Sequence, residues 1–358
     1  MKVGVVGCGN ISPVYLRVMQ GFPEIEVVAV ADMNSELAQQ RAQQFGVPQA
    51  LSVDALLQHP EIEVVLNLTP PKAHAPINKA AVEAGKHVYC EKPFGVNRDE
   101  AREVLALAQQ KGVYIGCAPD TVLGAGIQTC LKLIQDGAIG EPVGAGAFML
   151  CPGHESWHPN PEFYYEVGGG PMLDMGPYYL TALVVLLGAA RRVAGISRIT
   201  RPTRLITSQP KHGQTIAVET PTHITGAVEF ASGAIATVIM SFDVWAHRLP
   251  CIEVYGTEGA LGVPDPNGFG GPVLLRKAGE SAWQEMPLTH PYAEQSRGLG
   301  LAEMIRAIHE GRPNRLNGEL AYHVLDTMLA FNDSSASGAH VALESTCTPP
   351  PLMPQEGL

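Results

Sequence analysis

The chain carries seven cysteines, scattered singly, with no C-x-x-C spacing anywhere. An odd, dispersed set makes a poor disulfide framework and points to reduced thiols, hence to a cytoplasmic setting. Basic residues are scarce. Lys and Arg total 24 against 35 Asp and Glu, giving a net charge of −11 and a pI near 5.5. That balance speaks against a nucleic-acid groove or an anionic membrane surface as partner. It leaves an anionic small molecule open, because backbone amides bind phosphate without a basic surface. No charged leader precedes an apolar stretch: Met1-Lys2-Val3-Gly4 enters a strand pattern directly, so no signal peptide is expected. No run of about 18 uncharged residues free of Gly occurs, so no membrane span is expected. Leu180–Leu187 is very apolar but short, and reads as a buried helix.

What is present is enough apolar material for a sizeable core. The 358 residues are 46% hydrophobic, which suggests two domains rather than one. The first part alternates strand and helix patterns. Strands are expected over Lys2–Val6, Glu26–Ala31, Val64–Leu68, His87–Cys90 and Val113–Cys117. Helices are expected over Ile11–Gly21, Ser35–Phe45, Val53–Gln58, His74–Ala84 and Arg98–Lys111. This alternation implies βαβ units and a parallel sheet. After residue 120 a helix over Ala125–Gln135 gives way to period-two runs. Thr222–Phe230 and Ala234–Phe242 flank Ala231-Ser232-Gly233, and Cys251–Tyr255 and Ala260–Val263 flank a second turn. Val273–Leu275 and Trp283–Met286 continue the series. Such alternation indicates an antiparallel sheet with one face covered. Two late amphipathic helices, Leu299–Glu310 and Leu320–Ser335, are expected to pack back on the first domain. The expected domains are 1–120, 121–345 and a Pro-rich tail, 346–358, read as loosely ordered.

The first strand runs into Gly7-Cys8-Gly9-Asn10-Ile11-Ser12, and the first helix follows. Glycines there allow a tight turn and close backbone approach to a pyrophosphate, and Ser12 is small enough for close helix packing. Asp32 ends the second strand, where an acidic residue hydrogen-bonds adenosine ribose hydroxyls. Together these read as a dinucleotide-binding Rossmann unit. No basic residue follows at once in Asp32-Met33-Asn34, and a 2′-phosphate would meet Asp32 as a like charge. NAD(H) is therefore favoured, with NADP(H) left open because Arg41 lies further along the helix. Thr69-Pro70-Pro71 should lie near the nicotinamide end, although it also reads as a plain proline-terminated strand. The candidate cofactor contacts are Gly7, Gly9, Asn10, Ile11, Asp32, Thr69, Pro70, His74, Glu91 and Lys92.

Lys92, in Cys90-Glu91-Lys92-Pro93, sits at the carboxyl edge of the parallel sheet, where open α/β folds place ligands. An ammonium there can stabilise alkoxide character, or pass a proton if burial lowers its pKa. The Lys92–Pro93 bond is a candidate for cis. Further on, Gly168-Gly169-Gly170-Pro171 opens a helix carrying Asp174 and Tyr178, four apart on one face. A carboxylate and a phenol there suit positioning and proton transfer. They equally suit a helix-end charge and a core residue. Between the halves, Cys151-Pro152-Gly153-His154-Glu155-Ser156-Trp157-His158 leads to Phe163-Tyr164-Tyr165. Aromatics mixed with polar groups suit a carbohydrate ring. Cys151, His154 and His158 have ligand-like spacing, but no fourth ligand is evident and no metal is expected.

The glycine turn, the Glu-Lys-Pro and the Gly-Gly-x-x-x-Asp-x-Gly run together resemble the glucose–fructose oxidoreductase / inositol dehydrogenase / rhizopine-catabolism (Gfo/Idh/MocA) family. The resemblance covers nearly the whole chain, including Tyr255-Gly256-Thr257-Glu258-Gly259. It implies an α/β N-terminal Rossmann domain plus an α+β C-terminal domain with an open, mainly antiparallel sheet. It implies a catalytic lysine at Lys92, a substrate-binding aspartate at Asp174, and a homodimer or homotetramer. Many members carry a histidine where Tyr178 stands, and Asn-x-Arg where Ala118-Pro119-Asp120 stands. The expected catalytic set is Lys92, Tyr178 and Asp174. The expected substrate contacts are Asp120, His154, Trp157, His158, Asp174 and Tyr178. The expected activity is NAD(P)-dependent hydride transfer at a carbinol or carbonyl of a sugar, sugar derivative or cyclitol. Glycoside cleavage through transient oxidation and a non-catalytic nucleotide-binding regulator remain as alternatives.

Overall fold

The first strands are short apolar runs with no polar face, such as Val27–Ala31 and Val64–Leu66, the pattern of strands covered on both sides. The computed structural model describes residues 1–358. Chain order begins β1 (Lys2–Val6), α1 (Ser12–Val18), β2 (Glu26–Ala31), α2 (Ser35–Phe45), β3 (Gln49–Leu51) and α3 (Val53–Leu57). It continues β4 (Val64–Asn67), α4 (Pro71–Glu83), β5 (His87–Cys90), α5 (Arg98–Lys111) and β6 (Ile115–Cys117). The six strands are parallel in the order β3-β2-β1-β4-β5-β6. The order reverses between β1 and β4, which opens a crevice at their carboxyl ends. Asn34 caps α2 and Asn97 caps α5, each through its side-chain oxygen, and Gly46 and Gly112 end those helices in the left-handed conformation.

The remaining elements are α6 (Ala125–Gln135), β7 (Pro142–Leu150), α7 (Gly170–Leu187), β8 (Ala190–Arg198), β9 (Thr203–Leu205), β10 (Thr215–Ala217) and β11 (His223–Phe230). Then come β12 (Ile235–Ser241), β13 (Ile252–Gly256), β14 (Gly259–Val263), β15 (Val273–Lys277), β16 (Gln284–Met286), α8 (Leu299–Glu310), α9 (Gly318–Ser337) and β17 (Val341–Ala342). Nine of these strands form one sheet, antiparallel except where β12 runs parallel to β7. Helices α6, α7 and α9 cover one face. The other face is open and carries exposed Ile196 and Ile235. Helix α7 is long and apolar enough to cross a membrane by composition, yet 83% of it is buried against its neighbours. Helix α8 packs on β5 and β6, and α9 packs on α5 and β6. Leu301, Met304 and Ile305 of α8 thereby complete the core under β1 and β4.

Several expectations shift. Helix α4 begins at Pro71, three residues before the expected His74, because a proline suits the first helical turn. Strand β7 lacks an alternating pattern because Gly144 and Gly146 leave room for neighbours; a Cβ on Gly144 would lie 2.7 Å from the Ile235 carbonyl oxygen. The tail is not loose. Met353 is buried, its amide donates to Gln128 Oε1 (2.7 Å), and its carbonyl meets His290 Nε2 (3.1 Å). Arg315 Nε and Nη2 reach the Pro351 and Leu352 carbonyls (both 3.2 Å). The prolines stiffen a strap whose Met353 is pinned into the core, with Leu352 and Leu358 packed against it.

Met353→Ala should therefore lower stability by about 2–5 kcal/mol, read from denaturant unfolding. An unchanged midpoint would mean that the tail is not part of the fold.

Candidate active site

The glycine turn places Gly7 at φ +102, with the position of a Cβ only 2.6 Å from the Leu68 backbone. Only glycine fits, and the approach ties β1 to the loop after β4. Gly9 and Asn10 are exposed, and nothing lies within 4 Å of where a Cβ on Gly9 would stand. Ser12 Oγ donates to the Gly9 carbonyl (2.8 Å) and closes the turn from below. Asp32 accepts the Cys8 amide on Oδ2 (2.8 Å) and the Asn34 amide on Oδ1 (2.9 Å). Each oxygen retains a lone pair for a ribose hydroxyl. Arg41 Nε donates to the Cys8 carbonyl (3.2 Å), so a guanidinium stands beside this position. The residues present fit a dinucleotide.

At the far end of the crevice, a cleft of about 550 Å³ is lined by Pro70, Lys72, Lys92, Pro93, Tyr164 and Asp174, among others. The Lys92–Pro93 peptide is cis. Lys92 Nζ donates to the Asp174 carbonyl (2.7 Å) and to its Oδ1 (3.1 Å). Burial opposes the charge on Lys92, but the Asp174 carboxylate outweighs it and holds the ammonium well above the usual lysine range. Burial likewise opposes the charge on Asp174, and Lys92 with His154 outweighs it, holding the carboxyl down to about 2. The lowered lysine pKa entertained from the sequence is thus not what the fold produces. Lys92 is a fixed cation, suited to stabilising an oxyanion rather than to shuttling its own proton.

Tyr178 is buried behind this pair, with Lys92 Nζ 5.1 Å from its ring centroid. Arg297 Nη2 approaches the phenol oxygen (3.5 Å) and donates to Asn267 Oδ1 (3.0 Å). Burial pushes the phenol above its ordinary value, while the Lys92 and Arg297 cations pull it back. Arg297 escapes sequence reasoning because it lies 119 residues from Tyr178 and belongs to no motif. His154 Nε2 stands 3.6 Å from Asp174 Oδ2, and neither ring nitrogen has a hydrogen-bond partner although both are buried. The ring is held between Tyr164 (4.1 Å), Phe242 (4.6 Å) and Trp157 (5.3 Å).

Other sequence candidates are placed differently. Asp120 is buried and does not reach the cleft. Its Oδ2 accepts the Gly298 amide (2.7 Å) at the start of α8, and burial pushes it up to about 6. It therefore stands behind Arg297 rather than against a substrate. His74 is buried with both ring nitrogens on carbonyl oxygens, so it offers a cofactor no free atom. Glu91 accepts from Tyr15 Oη (2.7 Å) and the Lys92 amide (2.9 Å), bracing the Lys92 backbone from below. Thr69 donates its hydroxyl to Asn67 Oδ1 (2.7 Å) beside Pro70 on the cleft wall. His158 is buried, accepts the Asn160 amide on Nδ1 (3.0 Å), and is pulled below the usual range by burial. Trp157 is 61% exposed at the rim. Across the mouth, Lys72 of α4 pairs with Glu166 (2.8 Å).

Two family models match the chain. The model of the oxidoreductase family with an NAD-binding Rossmann fold covers residues 1–118, and that of the GFO/IDH/MocA C-terminal domain covers 127–262. The chain belongs to the GFO/IDH/MocA family. A dTDP-3,4-didehydro-2,6-dideoxy-alpha-D-glucose 3-reductase of Streptomyces violaceoruber is 31% identical over 54% of this chain and 57% of its own length. That alignment thus spans little more than half of the relative. A 1,5-anhydro-D-fructose reductase of Ensifer adhaerens is 29% identical over 89% of this chain and 92% of its own. The solved structure of levoglucosan dehydrogenase with NADH and levoglucosan superposes with a TM-score of 0.81 at 22% identity, covering 96% of this chain and 99% of that one. That likeness establishes a shared fold.

The rim segment that carries His154 and Trp157 is held by Arg204, which is buried and paired with Glu155 (2.8 Å) and Asp243, and which donates to the Pro152 and Phe242 carbonyls. Arg204→Met would leave two partly buried carboxylates without a counter-charge. A loss of about 3–5 kcal/mol is expected, measurable by denaturant unfolding, and a stable variant would show that the rim is held otherwise.

Proposed function

We propose that this chain is an NAD(P)-dependent oxidoreductase acting between a carbinol and a carbonyl of a sugar, sugar derivative or cyclitol. The observation that carries this reading is the Lys92–Asp174 pair at the far end of a dinucleotide crevice, with the Tyr178 phenol behind it. The bound nicotinamide supplies hydride exchange. The ammonium of Lys92 stabilises negative charge on the substrate oxygen. Tyr178 gives or takes the proton of that oxygen, its phenol eased toward ionisation by Lys92 and Arg297. The Asp174 carboxylate, on the cleft wall, accepts from neighbouring hydroxyls, and His154 flanks it from behind. Tyr164 and exposed Trp157 offer aromatic faces to a sugar ring. The names of the Streptomyces, Ensifer and levoglucosan relatives support a carbohydrate substrate.

Asp32 favours NAD(H), and the guanidinium of Arg41 beside it keeps NADP(H) within reach. The open sheet face with Ile196 and Ile235 supports a homodimer or homotetramer. The acidic net charge supports a small-molecule partner rather than nucleic acid or membrane, and seven free thiols support a cytoplasmic setting.

Lys92→Ala should reduce turnover on an active polyol or sugar by about 100- to 1000-fold, the scale for losing one oxyanion donor. NADH binding, followed by fluorescence, should stay close to that of the parent. Normal turnover would sink the assignment. In alcohol oxidation the phenol must be deprotonated to accept a proton, so the rate climbs as pH rises toward its pKa. Arg297→Met removes one of the cations that lowers that pKa, so the climb should move to higher pH. A pH–rate profile that does not move would take Arg297 out of the proton path.

A further inference from the structure

His74 stands one turn into α4, beneath the cleft wall. Its Nδ1 lies 2.6 Å from the Pro93 carbonyl oxygen and its Nε2 lies 2.6 Å from the Thr69 carbonyl oxygen. A neutral imidazole has one N–H and one lone pair. One of these two contacts would then set a lone pair against a carbonyl lone pair at hydrogen-bond distance. Only the doubly protonated ring satisfies both. A cation at that depth, near the start of a helix whose dipole opposes it, requires a neighbouring anion. The nearby carboxylates are otherwise engaged: Glu91 by Tyr15 and the Lys92 amide, Asp174 by Lys92.

The remaining acid is the thiol of Cys90, the last residue of β5, with no exposed surface. Cys90 stands in register with Asn67 of β4 and Cys117 of β6, so its side chain shares the sheet face on which Asn67 meets His74 and Asn78 of α4. The orientation of Asn78 is fixed independently. Asn67 Nδ2 donates to Asn78 Oδ1 (2.8 Å) and to the His74 carbonyl (3.1 Å), and Asn67 Oδ1 accepts the Thr69 amide and hydroxyl. The NH2 of Asn78 therefore points away from Asn67, fully buried, and has no hydrogen-bond partner. A buried amide donor without an acceptor is costly, and negative charge at Cys90, on the same face of the sheet, would offset part of that cost.

We propose that His74 and Cys90 form a buried imidazolium–thiolate pair that clamps the ends of β4 and β5 and so positions Lys92. The proton leaves Cys90 Sγ for the imidazole, and the pair stays neutral overall. The imidazolium then ties the Thr69 carbonyl to the Pro93 carbonyl, across the wall that carries Pro70, Lys92 and Pro93. Burial opposes the His74 charge, but the Cys90 sulfur and then the two carbonyls raise its pKa to about 9. Burial would push Cys90 up as well, but Cys117, His74 and Asn78 bring it to about 6. The charged groups nearest the pair are Glu91 and Lys92 on the following turn. Around it stand Asn67 of β4, Asn78 of α4 and Cys117 of β6, all uncharged. Both residues are positioning residues. The ionic state is independent of the substrate, and only its kinetic consequence rests on the role proposed for Lys92.

Wild-type protein provides the first test, through two readouts that need no turnover. Nitrogen-15 NMR of the histidine rings should show His74 carrying protons on both nitrogens at neutral pH. Thiolate ultraviolet absorbance should show one ionised cysteine per chain, appearing as pH rises through about 6. Burial raises the pKa of each of the other six, so they contribute no background near neutrality. Cys90→Ser should abolish the absorbance and leave His74 singly protonated. A singly protonated His74, or no thiolate, in the wild type overturns the pair. In Cys90→Ser, kcat should fall by up to about 100-fold through misplacement of Lys92, with little change in cofactor KM. A present pair with unchanged kcat in that variant overturns the positioning role. If no substrate is turned over at all, the proposed activity fails while the spectroscopic result still decides the pair.

Discussion

Lys92 and Asp174 lie 82 residues apart in the chain and 3.1 Å apart in space. One ends a strand of the parallel sheet, and the other sits in the first turns of the helix that anchors the second sheet. An ammonium and a carboxylate removed from water must find each other, because either left alone would carry an uncompensated charge. Their pairing fixes how the end of β5 faces α7, and the cleft is the space left between them. Burial alone would discharge both groups. Their mutual attraction keeps both charged, which leaves a cation and an anion side by side on the cleft wall.

Around this pair the fold arranges a graded set of supports. Glu91 holds the Lys92 backbone through its amide, and Tyr15 holds Glu91. Arg297 reaches the Tyr178 oxygen from the segment before α8, whose first amides are held by Asp120. The Arg204 cluster sets the rim that carries His154 and Trp157. Each support comes from a different stretch of chain, so the site is assembled by packing rather than by one loop. This explains why α8 and α9 return to the first sheet: without that return, Arg297 would have no fixed position near the phenol.

Much of this was legible in advance. The strands Lys2–Val6, Glu26–Ala31 and His87–Cys90 and the helices Ser35–Phe45, Arg98–Lys111 and Leu299–Glu310 follow from periodicity, caps and terminal glycines. The elements that escaped had weak local signals. Strand β7 is glycine- and alanine-rich because its neighbours press against it, and β3 has three residues. The tail misled because proline content signals loose chain unless an apolar residue is pinned, and Met353 is pinned. Lys92, Asp174 and the glycine turn were readable because each stands at a fixed distance from a strand or helix end. Asp120 and His74 were misplaced for the opposite reason, since their strand-end and helix-start positions said nothing of what would cover them.

Readable from the residues alone were the order of elements, the glycine turn with its acidic partner, and the residues at the strand ends. Those depend on interactions within a few residues, such as side-chain periodicity, capping and the conformational freedom of glycine. Which groups are charged, and where they point, follows from how the folded segments pack. Lys92 became a fixed cation rather than a proton shuttle, Arg297 joined the phenol, Asp120 turned behind it, and His74 closed on two carbonyls. Burial and charge pairing are set by contacts between distant segments, and no local pattern encodes them.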